Sequence, residues 1–418
     1  PFVKHSYLLK NPEDTARVFK EAFYIAGTGR PGPVLIDIPM DVQKSVIDFE
    51  YPEKCEIRSY KPTTKGNYVQ VRRVMAALEE AEKPLICIGG GVFAAHAENE
   101  IRELADLMQI PVITTMMGIS VFPDDDQLFC GMIGTHGVKM ANAAVNECDV
   151  LFLVGARVGD RAVKTPLALE KTTKIIHIDI DPAEIGKNIG ADLPLVGDAK
   201  LVLQQMTELA KPMKHDEWIA HIKTLGGERK YVEPAKGTVN PRVFIDRLAK
   251  KMPANVTVVA DVGQNQIWTC TEYKFRKEGR LLTSGGMGTM GYSVPAAIGA
   301  KMADNSRATV AICGDGAFQM SFMELATAVQ FGVDIKVVVM TNNRLGMVRE
   351  LQTNGYHDRQ TAVFLDGSPD FIKLAEAYGI PAMRVYDDDT MDKGIEMLAE
   401  HKGICLVEVV VDKDMPTL

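Results

Sequence analysis

Ala308-Thr309-Val310-Ala311-Ile312-Cys313-Gly314-Asp315-Gly316 is an apolar run of strand length that stops at a carboxylate held between two glycines. A second run, Ile335 to Met340, stops at Thr341-Asn342-Asn343, which puts Asn342 27 residues after Asp315 (342 − 315). That interval fits one strand–helix–strand crossover, so the runs are expected to lie side by side in a parallel sheet. Unbroken apolar strands fit a sheet covered on both faces. The carboxylate and the amide then share the carboxyl edge of that sheet, where open α/β folds bind ligands.

Such a pair supplies hard oxygen donors without neutralising a cation, which suits Mg²⁺ that must also hold phosphate oxygens. Glycines on both sides of Asp315 let a backbone approach a diphosphate closely, and a following helix would offer unpaired N–H groups to the same anion. The plainer reading is two tight turns, which Gly, Asp and Asn all favour. Residue type, strand placement and spacing agree on the ligand site. Gly286-Met287-Gly288-Thr289-Met290-Gly291 also matches the GxGxxG dinucleotide pattern. There Leu281-Leu282 and Pro295 are expected to make a poor strand–turn–helix frame, and Asp315 is oddly placed as a ribose partner.

Outward from this core the chain reads as α/β throughout. A third unit, 238–418, adds strands Val256 to Ala260 and Ile404 to Val411 and helices near Pro241 to Lys251, Ser321 to Phe331 and Pro369 to Tyr378. A middle unit, 68–212, opens with a helix Val69 to Ala81 and strand Pro84 to Ile88, which runs into Gly89-Gly90-Gly91. It continues with strands Pro111 to Thr114, Val150 to Val154 and Lys174 to Ile180. Two doubly wound parallel-sheet domains are expected. Residues 1–50 hold a strand or loop, a helix Asp14 to Ile25 and a strand Val34 to Pro39, and read as the tail of a third α/β domain. Stretches 51–67 and 213–237 read as linkers.

The 418 residues carry 47 Lys+Arg against 55 Asp+Glu, a formal charge of −8, with 46% hydrophobic residues. This is an ordinary globular composition. The acidic excess and lack of a basic cluster argue against nucleic-acid and anionic-membrane surfaces and favour small-molecule partners. No apolar stretch reaches membrane-span length and no signal-peptide pattern opens the chain. The seven cysteines (Cys55, Cys87, Cys130, Cys148, Cys270, Cys313, Cys405) are scattered and never form CxxC. Reduced thiols and a cytoplasmic address are expected.

Gly314-Asp315-Gly316 with Asn342-Asn343 resembles the metal motif of thiamine diphosphate enzymes. The wider sequence resembles the catalytic subunit of the acetolactate synthase (acetohydroxyacid synthase) family. The words that carry this are Arg30 to Pro39, Gly89-Gly90-Gly91, Gly134-Thr135-His136-Gly137, Gly155-Ala156-Arg157, His177 to Pro182 and Leu345-Gly346-Met347-Val348. The resemblance implies that Asp315, Asn342 and the backbone carbonyl of Arg344 bind Mg²⁺. It implies that Gly314, Gly316, Ala317, Gly346 and Met347 cradle the diphosphate, with Gly263, Gln264 and Asn265 at the same end. Met290, in Gly288-Thr289-Met290-Gly291, becomes an apolar wedge that bends the cofactor, and the GxGxxG match a decoy. For the middle unit it implies FAD, structural rather than redox-active, on Arg30, Gly89, Gly90, Gly91, Thr115, Met116, Met117, Gly134, Thr135, His136, Gly155, Arg157, Arg161, Asp179, Ile180 and Asp198. From the residues alone, Gly89 to Gly91 permit close dinucleotide approach, Arg157 and Arg161 offer charge for a pyrophosphate, and His136 reads more readily as a structural histidine.

The implied reaction is carboligation: pyruvate loses CO₂ with the cofactor as electron sink and is joined to a second 2-oxoacid, pyruvate or 2-oxobutyrate. The product is 2-acetolactate or 2-aceto-2-hydroxybutyrate, on the route to branched-chain amino acids. The resemblance also implies a homodimer or homotetramer, with a small regulatory subunit as a further partner. Four positions depart from it: Leu351 stands in the substrate pocket where tryptophan is usual, Met40 where lysine is common, Asn265 where histidine is common and Gly159 where an acidic residue is usual. The family's catalytic glutamate belongs to a preceding domain. About one domain, roughly 100 to 150 residues, is expected to be missing, and the 418 residues alone are expected to be inactive. A related decarboxylase or pyruvate oxidase shares the metal motif, and a non-catalytic cofactor-binding protein is a third reading.

Overall fold

Every one of the five residues Pro84–Ile88 is buried, and in the computed structural model of the protein they form a central strand of a parallel sheet. The structure describes residues 2–227 and 231–418; Pro1, and Glu228, Arg229 and Lys230 of the expected second linker, lie outside the described residues. Three sheets are present among the described residues, with every strand pairing in them parallel. β1 (His5–Leu8) and β2 (Val34–Asp37) pair beside the helix Thr15–Gly27, around Leu9, Val18 and Val42. Residues 51–67 carry no helix or strand.

The middle sheet holds β3 (Pro84–Ile88), β4 (Val112–Thr114), β5 (Phe129–Met132), β6 (Val150–Val154), β7 (Lys174–Asp179) and β8 (Leu193–Val196), in the order β5-β4-β3-β6-β7-β8. The last sheet holds β9 (Thr257–Ala260), β10 (Arg280–Thr283), β11 (Thr309–Gly314), β12 (Lys336–Thr341), β13 (Ala382–Val385) and β14 (Cys405–Val410), in the order β10-β9-β11-β12-β14-β13. Both are covered on two faces. In the middle sheet Ile86 and Ile88 face one core while Leu85 and Cys87 face the other. In the last sheet Val258 and Ile312 face one core, Val259 and Cys313 the other. Strand order reverses between β3 and β6 and again between β9 and β11, and crevices open at such switch points.

All eight central strands coincide with runs read as strands from the sequence. The four edge strands β5, β8, β10 and β13 do not; each buries only one face, and their residues alternate or are half-exposed. Leu281-Leu282 is therefore a correction: it lies in the edge strand β10, a nine-residue loop follows, and the helix Ser293–Ala303 begins before Pro295. Glycine-rich as it is, the loop has a strand–turn–helix frame after all. The expected helix over 321–331 is a single 3₁₀ turn, Phe322–Glu324, and a short helix, Leu325–Gln330. The helix after Gly314 is one turn, Asp315–Phe318. A helix, Asp216–Thr224, lies within the stretch read as the second linker and buries Trp218 and Ile222 against the middle sheet, with Trp218 Nε1 donating to Pro84 O at 3.0 Å. All seven cysteines are unpaired and six are buried. Among the described residues no helix is long and apolar enough to cross a membrane.

The middle and last units meet along a polar seam. Asp124 N–H donates to Phe275 O at 2.9 Å while its Oδ2 accepts from Phe275 N–H at 2.8 Å, and Lys274 Nζ lies 3.6 Å from Oδ1. Leu281 N–H donates to Ser120 Oγ at 2.9 Å, and Arg280 pairs with Glu98. Burial pushes the Asp124 carboxyl up to about 6 against the opposing pull of Lys274, with Asp125 adding a like charge. A folded pKa above the unfolded one favours the neutral acid in the native state. This stabilising term is complete below about pH 4 and is lost as pH rises through about 6, at most about 3 kcal/mol. Denaturant unfolding between pH 4 and 7 is expected to show the fall, and Asp124→Asn to remove this part of the slope. An unchanged slope in the variant would assign the titration to another group.

Candidate functional site

The crevice at the β9/β11 switch point holds a cavity of about 140 Å³ lined by the ends of β9, β11 and β12 and by the loops after them. Asp315 is 2% exposed and faces no basic side chain among its hydrogen-bond partners. Its Oδ1 accepts from Gly316 N–H at 2.8 Å, and its Oδ2 from Asn342 N–H at 3.1 Å and Asn343 N–H at 2.6 Å. A carboxylate has about four lone-pair sites, so acceptor capacity remains on Oδ1. Burial lifts its pKa to about 6 in spite of those three N–H groups, the mark of an anion that lacks a counter-charge. Asn343 reaches its position with φ +53°, which asparagine tolerates better than most residues.

The pairing Gly314↔Met340 sets Asp315 and Asn342 at the ends of neighbouring strands. Asn342 Oδ1 accepts from Arg344 N–H at 3.1 Å, and Nδ2 donates to Gln264 Oε1 at 3.2 Å. One carboxylate, one amide and one nearby main-chain carbonyl make an oxygen donor set of the kind hard divalent cations take. Among the described residues no cluster of three or more His, Cys, Asp or Glu could hold a metal ion; this set lies outside that kind of cluster.

Of the residues expected around the cofactor and its metal ion, Gly263, Gln264, Asn265, Met290, Gly314, Asp315, Gly316, Ala317, Asn342, Arg344, Gly346 and Met347 all line the cavity; Gly288 does not. Gly263 needs to be glycine, since at φ +141° a Cβ would stand 2.7 Å from Asn265 Oδ1. Asn265 is occupied structurally, donating Nδ2 to Asp261 O at 2.7 Å and Ile312 O at 3.2 Å. Gln264 Nε2 is also engaged, with Met415 O at 2.9 Å and Thr417 Oγ1 at 3.2 Å, and Oε1 fills the space beside Gly346 where a Cβ would come to 1.9 Å. Met290 Cε lies 3.4 Å from where a Cβ of Gly316 would be, above the Gly314-Asp315-Gly316 turn. Leu351 is 62% exposed and outside the lining.

Trp268 and Val411 also line the cavity and have no signal in the motifs. Trp268 belongs to the helix Gln264–Glu272, all nine of whose residues are buried, so that no apolar stripe marks it.

Apart from Arg30, the positions linked to FAD lie at the carboxyl ends of β3 to β8. Gly89 to Gly91 and Gly155 meet at the β3/β6 switch point, where a Cβ on Gly89 would stand 2.1 Å from Gly155 O. Thr115, Met116 and Met117 follow β4; a Cβ on Gly285 would stand 2.4 Å from Met117 Sδ, so this turn touches the glycine-rich loop of the last unit. After β5, Gly134 is buried at φ +117° with Thr135 exposed, and burial lowers the pKa of half-buried His136 while Glu350 opposes it. Arg157 and Arg161 are exposed. Asp179 Oδ1 accepts from Asp181 N–H at 2.9 Å just before Ile180, and Asp198 caps its helix through Leu201 N–H at 3.2 Å. Arg30 joins the first unit to the middle one through Glu184 at 2.5 Å and Asp181 at 3.1 Å.

Residues 261–409 match the C-terminal TPP-binding domain of thiamine pyrophosphate enzymes, and residues 71–206 the central domain of the same enzymes. (Thiamine pyrophosphate and thiamine diphosphate are the same molecule.) The chain is 41% identical to the probable acetolactate synthase large subunit of Methanocaldococcus jannaschii, with 99% of this chain and 72% of that protein aligned. It is 40% identical to the acetolactate synthase large subunit of Corynebacterium glutamicum, over 99% of this chain and 68% of the relative. Against the acetolactate synthase isozyme 3 large subunit of Escherichia coli it is 36% identical, over 99% and 74%. With identity of this order along nearly all its length and both domain types in place, the chain belongs to the acetolactate synthase large-subunit family of thiamine pyrophosphate enzymes.

Proposed function

We propose that the chain binds thiamine diphosphate through Mg²⁺ at the β9/β11/β12 edge and serves the decarboxylating condensation of pyruvate with pyruvate or 2-oxobutyrate, a step toward branched-chain amino acids. The observation that carries this is Asp315: a carboxylate 2% exposed, with no basic side chain among its hydrogen-bond partners, in the wall of the cavity beside the amide of Asn342. When bound, the cofactor supplies the electron sink for loss of CO₂. The chain's own part is positional. Asp315, Asn342 and the carbonyl of Arg344 hold the cation, the backbone around Gly316 and Gly346 approaches the diphosphate, and Met290 presses on the remainder from above. Trp268 and Val411 help keep water from the inner wall.

FAD is proposed at the carboxyl edge of the middle sheet, where Arg157 and Arg161 are exposed. Gly89, Gly91 and Gly155 are already required there by close backbone packing. The names of the relatives speak of large subunits, so a small regulatory subunit is proposed as a partner, together with self-association to a dimer or tetramer.

Titration with thiamine diphosphate, followed by quenching of Trp268 fluorescence in a Trp218→Phe background, is expected to saturate only when Mg²⁺ is present. Product analysis of the full-length protein with pyruvate is expected to give acetolactate. Acetaldehyde or peroxide instead would move the assignment to a decarboxylase or an oxidase, and the same titration curve without Mg²⁺ would remove the metal from it.

A further inference from the structure

Asp261 follows directly on β9, is 0% exposed, and has only main-chain N–H groups as partners for its carboxylate. Oδ1 accepts from Val262 N–H at 2.9 Å and Gly291 N–H at 3.0 Å; Oδ2 accepts from Ser293 N–H at 2.7 Å. Its own N–H donates to Ile312 O at 2.8 Å, which ties it to β11 at the switch point. Neither the metal motif nor the cavity lining includes it.

Two of its three bonds reach across to the end of the glycine-rich loop. That loop is otherwise poorly held: Gly285 to Thr289 are exposed, Met287 is 91% exposed, and Gly288 and Gly291 take left-handed φ of +68° and +84°. At its near end Ser284 accepts Gly288 N–H at 2.9 Å on its carbonyl and Thr289 N–H at 3.1 Å on Oγ. At its far end the anchor is Asp261. Met290 is the residue between these two anchors, and it is the one whose methyl group reaches the Gly314-Asp315-Gly316 turn.

We propose that Asp261 is a positioning residue: by gripping Gly291 and Ser293 it sets the height of Met290 over the cavity, and with it the shape offered to the ring portion of a bound thiamine diphosphate. The inference rests on the cofactor reading above. A carboxylate is needed because three N–H groups converge on it. Asparagine has one acceptor atom and would turn its NH₂ toward a donor. Negative charge also suits the start of the eleven-residue helix Ser293–Ala303. A purely structural helix cap would affect folding but not Met290.

The test uses the chain with Mg²⁺ and thiamine diphosphate. In the wild type the amides of Gly291 and Ser293 are expected to exchange with solvent as slowly as those of β9. Asp261→Asn is expected to speed both at least about tenfold while leaving Gly316 and β11 unchanged. It is also expected to weaken cofactor binding about tenfold and to alter the near-ultraviolet circular dichroism of the bound aminopyrimidine. Met290→Ala is expected to do the same, and the double variant to lose no more than Met290→Ala alone, since both act through one contact. Fast wild-type exchange at Gly291 and Ser293, or additive losses in the double variant, would overturn the proposal. If Asp261→Asn does not fold, the wild-type exchange rates decide it. If the wild type binds no thiamine diphosphate, the cofactor reading fails, while the exchange rates still judge the grip of Asp261 on the loop.

Discussion

Asp315→Asn is expected to abolish Mg²⁺-dependent binding of thiamine diphosphate while leaving the ligand-free protein folded. Outer-shell partners of metal sites are typically worth about 10- to 100-fold in affinity, and a direct ligand is expected to exceed that. The variant separates binding from folding because two effects on the ligand-free protein oppose each other. Asparagine loses part of the acceptor capacity that now serves Gly316, Asn342 and Asn343, a cost of about 1 to 3 kcal/mol for an N–H left unpaired. It also removes a charge that burial disfavours, the same burial that lifts the Asp315 pKa to about 6. The ligand-free melting temperature is therefore expected to move by only a few degrees. The rise in melting temperature that Mg²⁺ and thiamine diphosphate together produce is expected to vanish. A variant that keeps this rise would show that the cation sits elsewhere, and one that loses it only by unfolding would show that Asp315 serves the turn rather than the metal.

Central strands and edge strands account for what could be read from the sequence. Strands such as Val150–Val154 and Lys336–Thr341 are covered on both faces and spell themselves as unbroken apolar runs. Edge strands such as Ala382–Val385, with Arg384 reaching Glu408 at 2.8 Å, need only one apolar face and look like loop. Motifs at strand ends were legible because Asp315 and Asn342 punctuate central strands. Gly288 shows the limit, since it belongs to the motif that carries Met290 yet does not line the cavity. Trp268 shows the other limit: a helix buried on all sides carries no period, so the largest side chain of the cavity wall had no local signal. Asp261 escaped for a different reason. Two of its three partners are backbone N–H groups 30 and 32 residues away, and backbone groups leave no trace in residue identity.

Gly89→Ala is expected to destabilise the middle domain by about 3 kcal/mol or more, with or without flavin in solution. The added Cβ would meet Gly155 O at 2.1 Å and Ala156 Cα at 2.5 Å, both main-chain atoms that cannot swing aside. Relief would require β3 and β6 to part, and these strands pair from Pro84↔Val150 to Ile88↔Val154 in the middle of the sheet. Overpacking in a rigid interior typically costs about 1 to 3 kcal/mol even when side chains can yield. Gly118, whose Cβ would stand 2.2 Å from Ile88 O, belongs to the same nest. Gly159→Ala is the control: it lies in the loop after β6 with nothing within 4 Å, and it is expected to shift stability by less than about 1 kcal/mol. Denaturant midpoints of the two variants check this, and equal midpoints would mean that the ends of β3 and β6 are looser than their contacts indicate. The consequence reaches the cofactor question. Glycines of a flavin-type motif are usually tested by substitution, but here such a variant would lose FAD simply by losing the fold. Arg157 and Arg161 are exposed, so Arg157→Ala and Arg161→Ala leave the packing intact. A loss of FAD binding in those variants at unchanged stability would tie the flavin to this edge of the sheet, and unchanged FAD binding would detach it.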